Sequence, residues 1–355
     1  MVLYPLLTRP HMVQPIWGGD RLAAWLGLPE PRPERLGEVW LVYDTNPVVN
    51  GPLAGRTLAE VARERGAALV GTRTAERYGA DFPLLAKFID AADRLSIQVH
   101  PDDAYAHSRE AATGFHGKTE AWYILSAAPG AEVIYGLERP SSRAEMQAAI
   151  VSGRVEALMR RLPVAAGDTV FVPAGTVHAI NAGIVLFEIQ QKSDLTYRVY
   201  DYGRRDARTG QPRELHIEKS LDVMDYQPAP RGTVPPLPLG EGRDLLVACP
   251  LFALERWVLP APHEGVTHAG TFEIHTLLDG AAELAWAGGA LHLGRGDAAV
   301  LPAALGGFTL RPLAPGTRLL RATVPDLERD YRAPLRARGV AAERVAQTVL
   351  EEIRA

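Results

Sequence analysis

The chain has 355 residues, 47% of them hydrophobic and 23% charged, with a formal net charge of −4. That length suggests two domains of ordinary globular composition; no apolar run approaches the roughly 18 residues that cross a bilayer, and the acidic balance argues against a general nucleic-acid binder. A single cysteine, Cys249, excludes an intrachain disulfide and thiolate zinc sites, which leaves His, Glu, Asp or Gln to hold any metal.

The N-terminal stretch, interrupted early by Pro10 and His11, lacks a basic segment followed by a sustained apolar one, so the protein is expected in the cytoplasm. Residues 37–43 read as a strand, and Gly18-Gly19 before them as a turn. Thr57 with Glu60 three residues on forms a capping box, which predicts a helix to about Gly66. Residues 82–90 and 94–100 read as two strands, and 103–116 as polar and irregular, with His107 and His116 in it as weaker ligand candidates.

The most informative stretches are Leu95-Ser96-Ile97-Gln98-Val99-His100 and Gly117-Lys118-Thr119-Glu120. Side chains alternate across a strand, so Ser96, Gln98 and His100 share one face, and Lys118 and Glu120 share another. Polar groups on one face of an otherwise apolar strand cost free energy unless something binds them. A third stretch, Gly167 to His178, is an apolar strand whose Pro-Gly turn delivers one histidine. Gln98, His100, Glu120 and His178 together supply an amide, two imidazoles and a carboxylate, a set suited to a zinc-type divalent ion that would keep about one positive charge.

The only lysines are Lys87, Lys118, Lys192 and Lys219, and three of them lie in or beside these strands. A compact ammonium in an arginine-rich chain marks a candidate functional position. Residues 141–162 read as a two-helix insertion, 184–190 as a strand, and 194–201 as a strand whose Arg198 faces away from its apolar side. Residues 228–243 are proline-rich and read as a stiff connector between a first domain, 1–227, and a second, 244–355. In the second, Gly296-Asp297-Ala298-Ala299-Val300-Leu301-Pro302-Ala303-Ala304 echoes Gly167-Asp168-Thr169-Val170-Phe171-Val172-Pro173-Ala174-Gly175, and Gly307 falls where His178 would. The expectation is a degenerate, metal-free copy of the first domain, closed by an amphipathic helix over 341–355.

The spacing Gly167-x5-Pro173-x-Gly175-x2-His178 is similar to a cupin motif. Together with Leu95–Asp103, Gly117–Tyr123, Val172–Ala179 and Ser193–Tyr202, it makes the chain resemble the type I mannose-6-phosphate isomerases, in particular the compact bacterial form. The resemblance implies a mainly β fold of two cupin-like (jelly-roll) barrels and one zinc ion per chain. It also implies interconversion of mannose 6-phosphate and fructose 6-phosphate through a cis-enediol. It carries the metal ligands onto Gln98, His100, Glu120 and His178, and catalytic or substrate roles onto Arg198, Lys118 and Ser96. Lys87 and Lys192 are further candidates for the phosphate, and Lys118, Glu188 and Asp194 for the base. The expected partner is a small sugar phosphate, with monomer and homodimer both open. Two other readings share the residues: a non-haem iron cupin oxygenase and a non-catalytic sugar-binding cupin.

Overall fold

The computed structural model describes residues 2–205, 209–229 and 232–351. Among them the chain is mainly β, arranged in four sheets, and its contacts divide it into two compact units. One unit comprises residues 12–39 and 87–234, the other 1–11, 40–86 and 235–351. The division is therefore not a single cut at the proline-rich stretch, because the segment with the early helices clusters with the C-terminal residues. Within 228–243, Leu237–Gly240 is itself a strand, the edge of a seven-stranded sheet.

In the first-named unit, a five-stranded sheet runs in the order Tyr197–Tyr200, Ile97–Val99, His178–Ile180, Glu132–Leu137, Met159–Pro163. A six-stranded sheet runs His11–Val13, Glu38–Val42, Leu84–Ala91, Ile184–Gln191, Glu120–Ala127, Thr169–Val172. Trp122, Ile124, Val170 and Leu186 from the second sheet pack with Val133, Tyr135 and Ile180 from the first, so the two sheets face each other across an apolar core. The outer side of the five-stranded sheet presents Ile97, Val99, Ala179, Tyr197 and Val199, packed against Met146 and Ile150 of one helix and Leu221 of another. Period-two alternation then aims Gln98, His178 and Arg198 inward.

The capping box at Thr57 forms as expected: Thr57 Oγ1 accepts from Glu60 N, Glu60 Oε2 accepts from Thr57 N, and the helix spans Leu58–Arg65. Other expectations change. The 141–162 insertion holds the α-helix Arg143–Val151 and, in place of a second α-helix, the short 3-10 helix Val155–Leu158. Met159–Pro163 is a strand because it can pair with Glu132–Leu137. The 103–116 stretch contains the helix Asp103–Arg109, capped by the Asp102 carboxylate accepting from Tyr105 N at 2.9 Å. The C-terminal helix is only Ala342–Ala346. Beyond it the chain leaves helical geometry and Val349 bridges to Ala248, while Ile353 lies outside the described residues. No helix among the described residues is long and apolar enough to cross a membrane.

Removing the cap at Thr57→Ala should cost about 1 kcal/mol. In a chain of this size that lowers the melting temperature by about 2 °C; an unchanged melt would show that the cap contributes nothing.

Candidate metal centre and active site

Strand register builds the site. Across the five-stranded sheet, Gln98 is the Cα partner of His178 on one side and of Arg198 on the other, so the three stand in one lateral row. On the facing sheet Glu120 pairs with Gln190 and Val172, and Trp122 with Glu188 and Val170. The row and the facing strand bring His100, Glu120 and His178 together, each about 1% exposed, with ligand atoms all within 4.8 Å of one another.

The two histidines are oriented by their other nitrogens. His100 Nδ1 donates to the Leu195 carbonyl at 2.9 Å, and His178 Nδ1 donates to the Thr176 carbonyl at 2.8 Å. A proton on Nδ1 leaves the Nε2 lone pair of each ring aimed at the shared point, the arrangement that metal-ligating histidines use. His100 Nε2 lies 3.5 Å from Glu120 Oε2, and His178 Nε2 3.3 Å from Glu120 Oε1. His100 Nε2 and Glu120 Oε2 are buried without a hydrogen-bond partner. Burial, and then the charge of Lys118, holds His100 well below its ordinary pKa. Burial alone would raise Glu120, yet Lys118 and the imidazoles outweigh it and hold the carboxyl well below the usual range.

Behind Glu120 runs a buried polar chain. Trp122 Nε1 donates to Glu120 Oε1 at 3.1 Å and to Glu188 Oε2 at 3.0 Å. Glu188 Oε1 pairs with Lys87 Nζ at 3.1 Å, and Lys87 Nζ donates to Glu38 Oε2 at 3.0 Å. Burial pulls the Lys87 pKa down, but Glu188 and Glu38 more than offset it and keep the ammonium charged. Burial and the Glu120 charge push Glu188 up. With Lys118 Nζ 3.5 Å from Glu120 Oε2, three carboxylates face two ammoniums and one negative charge is left over. A divalent cation fits that balance and the two orphaned ligand atoms.

The candidates chosen from sequence end up in different places. Lys118 and Arg198 join the cluster's surroundings, and Ser96 is buried immediately before the Ile97–Val99 strand. Lys87 is engaged by Glu38 and Glu188, which gives its charge an internal role. Lys192 is half-buried, its carbonyl accepting from His116 N, and Asp194 is exposed. His107 and His116 meet each other, Nε2 to Nδ1 at 3.0 Å, in a separate, more exposed group with Asp103.

Sequence reasoning passed over three contributors. Trp122 was legible, two residues from Glu120 and on its face; Glu38 gave no signal. The third is Asp201, which accepts from Arg204 Nη2 at 2.6 Å and Arg213 Nε at 2.8 Å. This clamp holds the returning segment, whose Glu214 carbonyl accepts from Arg198 Nη1 at 2.8 Å and whose His216 Nδ1 accepts from Arg198 N at 3.2 Å.

Comparison with known proteins adds an independent line. Residues 6–124 match the family model "Phosphomannose isomerase type I, catalytic domain". A mannose-6-phosphate isomerase of Streptococcus mutans is 42% identical over 258 residues, 71% of this chain and 78% of its own. Mannose-6-phosphate isomerase ManA of Bacillus subtilis is 37% identical over 323 residues, 88% of this chain and 98% of its own. Among solved structures, the mannose 6-phosphate isomerase from Bacillus subtilis superimposes with a TM-score of 0.77 at 34% identity, covering 90% of this chain and 99% of that one. A mannose 6-phosphate isomerase described as holo and zinc bound shares the fold, with a TM-score of 0.72 at 17% identity over 90% of this chain and 98% of that one.

Replacing Lys87 by Met leaves Glu38 and Glu188 without their cation. We expect a loss of roughly 3–5 kcal/mol, read as a large fall in melting temperature that adding Glu188→Gln partly restores. At Asp201, burial raises the carboxyl and the two arginines lower it by more, so its folded pKa lies below its unfolded one. Such a group stabilises fully above about pH 4 and loses that contribution as pH falls through the folded value. The urea midpoint of Asp201→Asn should therefore lie below wild type at pH 7, and the gap should close in acid; a gap constant with pH would refute the clamp.

Proposed function

The chain belongs to the type I mannose-6-phosphate isomerases, and from that premise we propose that His100, Glu120, His178 and Gln98 hold one zinc ion at which mannose 6-phosphate and fructose 6-phosphate interconvert through a cis-enediol. The observation that carries the reading is the pair of buried ligand atoms without a hydrogen-bond partner, His100 Nε2 and Glu120 Oε2, 3.5 Å apart beside His178 Nε2. The zinc-bound relative agrees with the choice of metal. When bound, the ion supplies Lewis-acid stabilisation of negative charge on the sugar oxygens, a contribution of several kcal/mol.

The remaining work falls to the chain's own side chains. Isomerisation takes a proton from C2 of the open-chain aldose and returns one to C1, while the O2 proton is lost and O1 gains one. Lys118 is assigned the carbon-bound proton: it is buried, shares a strand face with Glu120 and lies on the cluster side. Its rivals are committed elsewhere, Glu188 to Lys87 and Trp122, while Asp194 is exposed. Arg198, next in the row after Gln98, offers a guanidinium whose Nε is buried without a partner, and it orients the substrate's oxygens. Ser96 and Lys192 are assigned to binding the substrate and its phosphate.

Isomerase activity measured before and after chelation, with zinc added back, tests the metal. Activity should vanish and return. Glu120→Gln should lose bound zinc and activity together, and retention of both would sink the ligand assignment. Lys118→Met should keep its zinc while kcat falls by about 10² or more; an unchanged kcat would remove Lys118 from the proton transfer.

A further inference from the structure

The C-terminal unit repeats the frame of the metal-bearing one in register. In both, an aspartate turn closes the same way: Ala165 N donates to Asp168 Oδ2 at 2.8 Å, and Gly294 N donates to Asp297 Oδ2 at 2.7 Å. Glu120 pairs with Val172, the sixth residue from Gly167, and Glu273 pairs with Leu301, the sixth from Gly296. Glu273 thus stands where Glu120 stands. One strand further, Glu188 opposite Trp122 corresponds to Arg321 opposite His275.

At that position the repeat places a guanidinium. Arg321 donates to Glu273 at 2.7 and 2.9 Å and to Glu255 at 2.9 Å, while His275 Nε2 lies 2.6 Å from Glu273 Oε2. Tyr331 and Trp257 Nε1 complete Glu255, each at 2.7 Å. Above this floor lies a cavity of about 660 Å³, within the range of small-molecule sites. Trp257 and Phe308 line it as apolar walls, and the His263 ring meets Trp257 at 4.6 Å.

The cavity's cations are unequally committed. Arg321 is held by two glutamates and Arg329 by Asp330 at 2.7 Å. Arg243 lies 5.6 Å over the Trp257 ring and has the exposed Glu241 at 3.6 Å, and its Nε is buried without a hydrogen-bond partner among the described residues. Arg338 donates to the Leu239 carbonyl at 2.8 Å, on the hairpin where Gly240 is the register partner of Arg243. Two guanidiniums therefore share one rim, beside an indole.

We propose that this cavity is a second, non-catalytic small-molecule site that takes a phosphorylated monosaccharide, with the phosphate at Arg243 and Arg338 and the sugar against Trp257. Forked guanidiniums match a phosphate's oxygens, and Trp257 with Phe308 gives the sugar an apolar wall beside them. The floor's two carboxylates are both paired with Arg321, where the first unit leaves ligand atoms for a cation, so the site binds without converting.

Isothermal titration of the zinc-loaded protein with fructose 6-phosphate tests this. Wild type should bind one more molecule per chain than Arg243→Ala/Arg338→Ala, with kcat/KM of the isomerase unchanged between them. Inorganic phosphate should compete at the extra site, and fructose alone should not. If the double variant unfolds, Arg243→Lys/Arg338→Lys replaces it and should weaken the extra site at least tenfold. Equal stoichiometry in wild type and variant, or fructose binding as tightly as its phosphate, would overturn the proposal. Loss of the isomerase assignment would leave the extra-site result standing.

Discussion

The structure of the site depends on one buried carboxylate. Glu120 is 1% exposed, and an ionised group that far from water costs several kcal/mol unless it is matched by charge and hydrogen bonds. Its neighbours divide that task. Trp122 satisfies Oε1, Lys118 approaches Oε2, and the imidazoles offer lone pairs that a carboxylate cannot use without a cation between them. The two Nδ1 bonds to backbone carbonyls hold the rings in the one tautomer that suits this arrangement. Because those carbonyls belong to neighbouring backbone, the geometry of the ligands follows from the path of the main chain.

The same constraint spreads outward. Glu188, buried behind Trp122, needs Lys87, and Lys87 sits on a strand buried on both faces, where an unpaired ammonium would be costly. Glu38 completes the pairing from the neighbouring strand. On the other side of the row, Arg198 is positioned by a segment that Asp201 ties down through Arg204 and Arg213. The surroundings of the cluster thus rest on two internal ionic networks, each with a carboxylate at its hub.

The cluster of His100, Glu120 and His178 was legible in the sequence because alternation along a strand is local: His100 stands two residues after Gln98, Glu120 two after Lys118, and His178 follows its Pro-Gly turn. The mainly β fold class came with the family resemblance, which rests on the same local stretches. What escaped depends on pairing between distant segments. Lys87 looked like a phosphate ligand because its own strand gives no sign of Glu38 or Glu188. Met159–Pro163 continues a helical periodicity and becomes a strand only through its pairing with Glu132–Leu137, and the terminal helix ends early because Val349 returns to Ala248. The Asp103–Arg109 helix was missed because Pro101-Asp102-Asp103 marks a strand's end, and the same aspartate that ends one element caps the next.

The two units answer one electrostatic problem in two ways. Each buries a glutamate at the same register position, Glu120 in one and Glu273 in the other. The charges behind them are inverted: Lys87 faces Glu188 in the first, and Glu255 faces Arg321 in the second. A guanidinium neutralises a carboxylate as a metal ion does, and its planar fork satisfies more lone pairs. It cannot, however, release a ligand position to a substrate oxygen, and all three of its nitrogens already donate to Glu273 and Glu255. Where His178 would complete a coordination sphere the second unit has Gly307, on the strand Gly307–Pro312. An arginine in place of a metal ion would therefore keep the frame stable and the cavity open without a Lewis acid, so one repeated fold carries two different answers to the same buried charge.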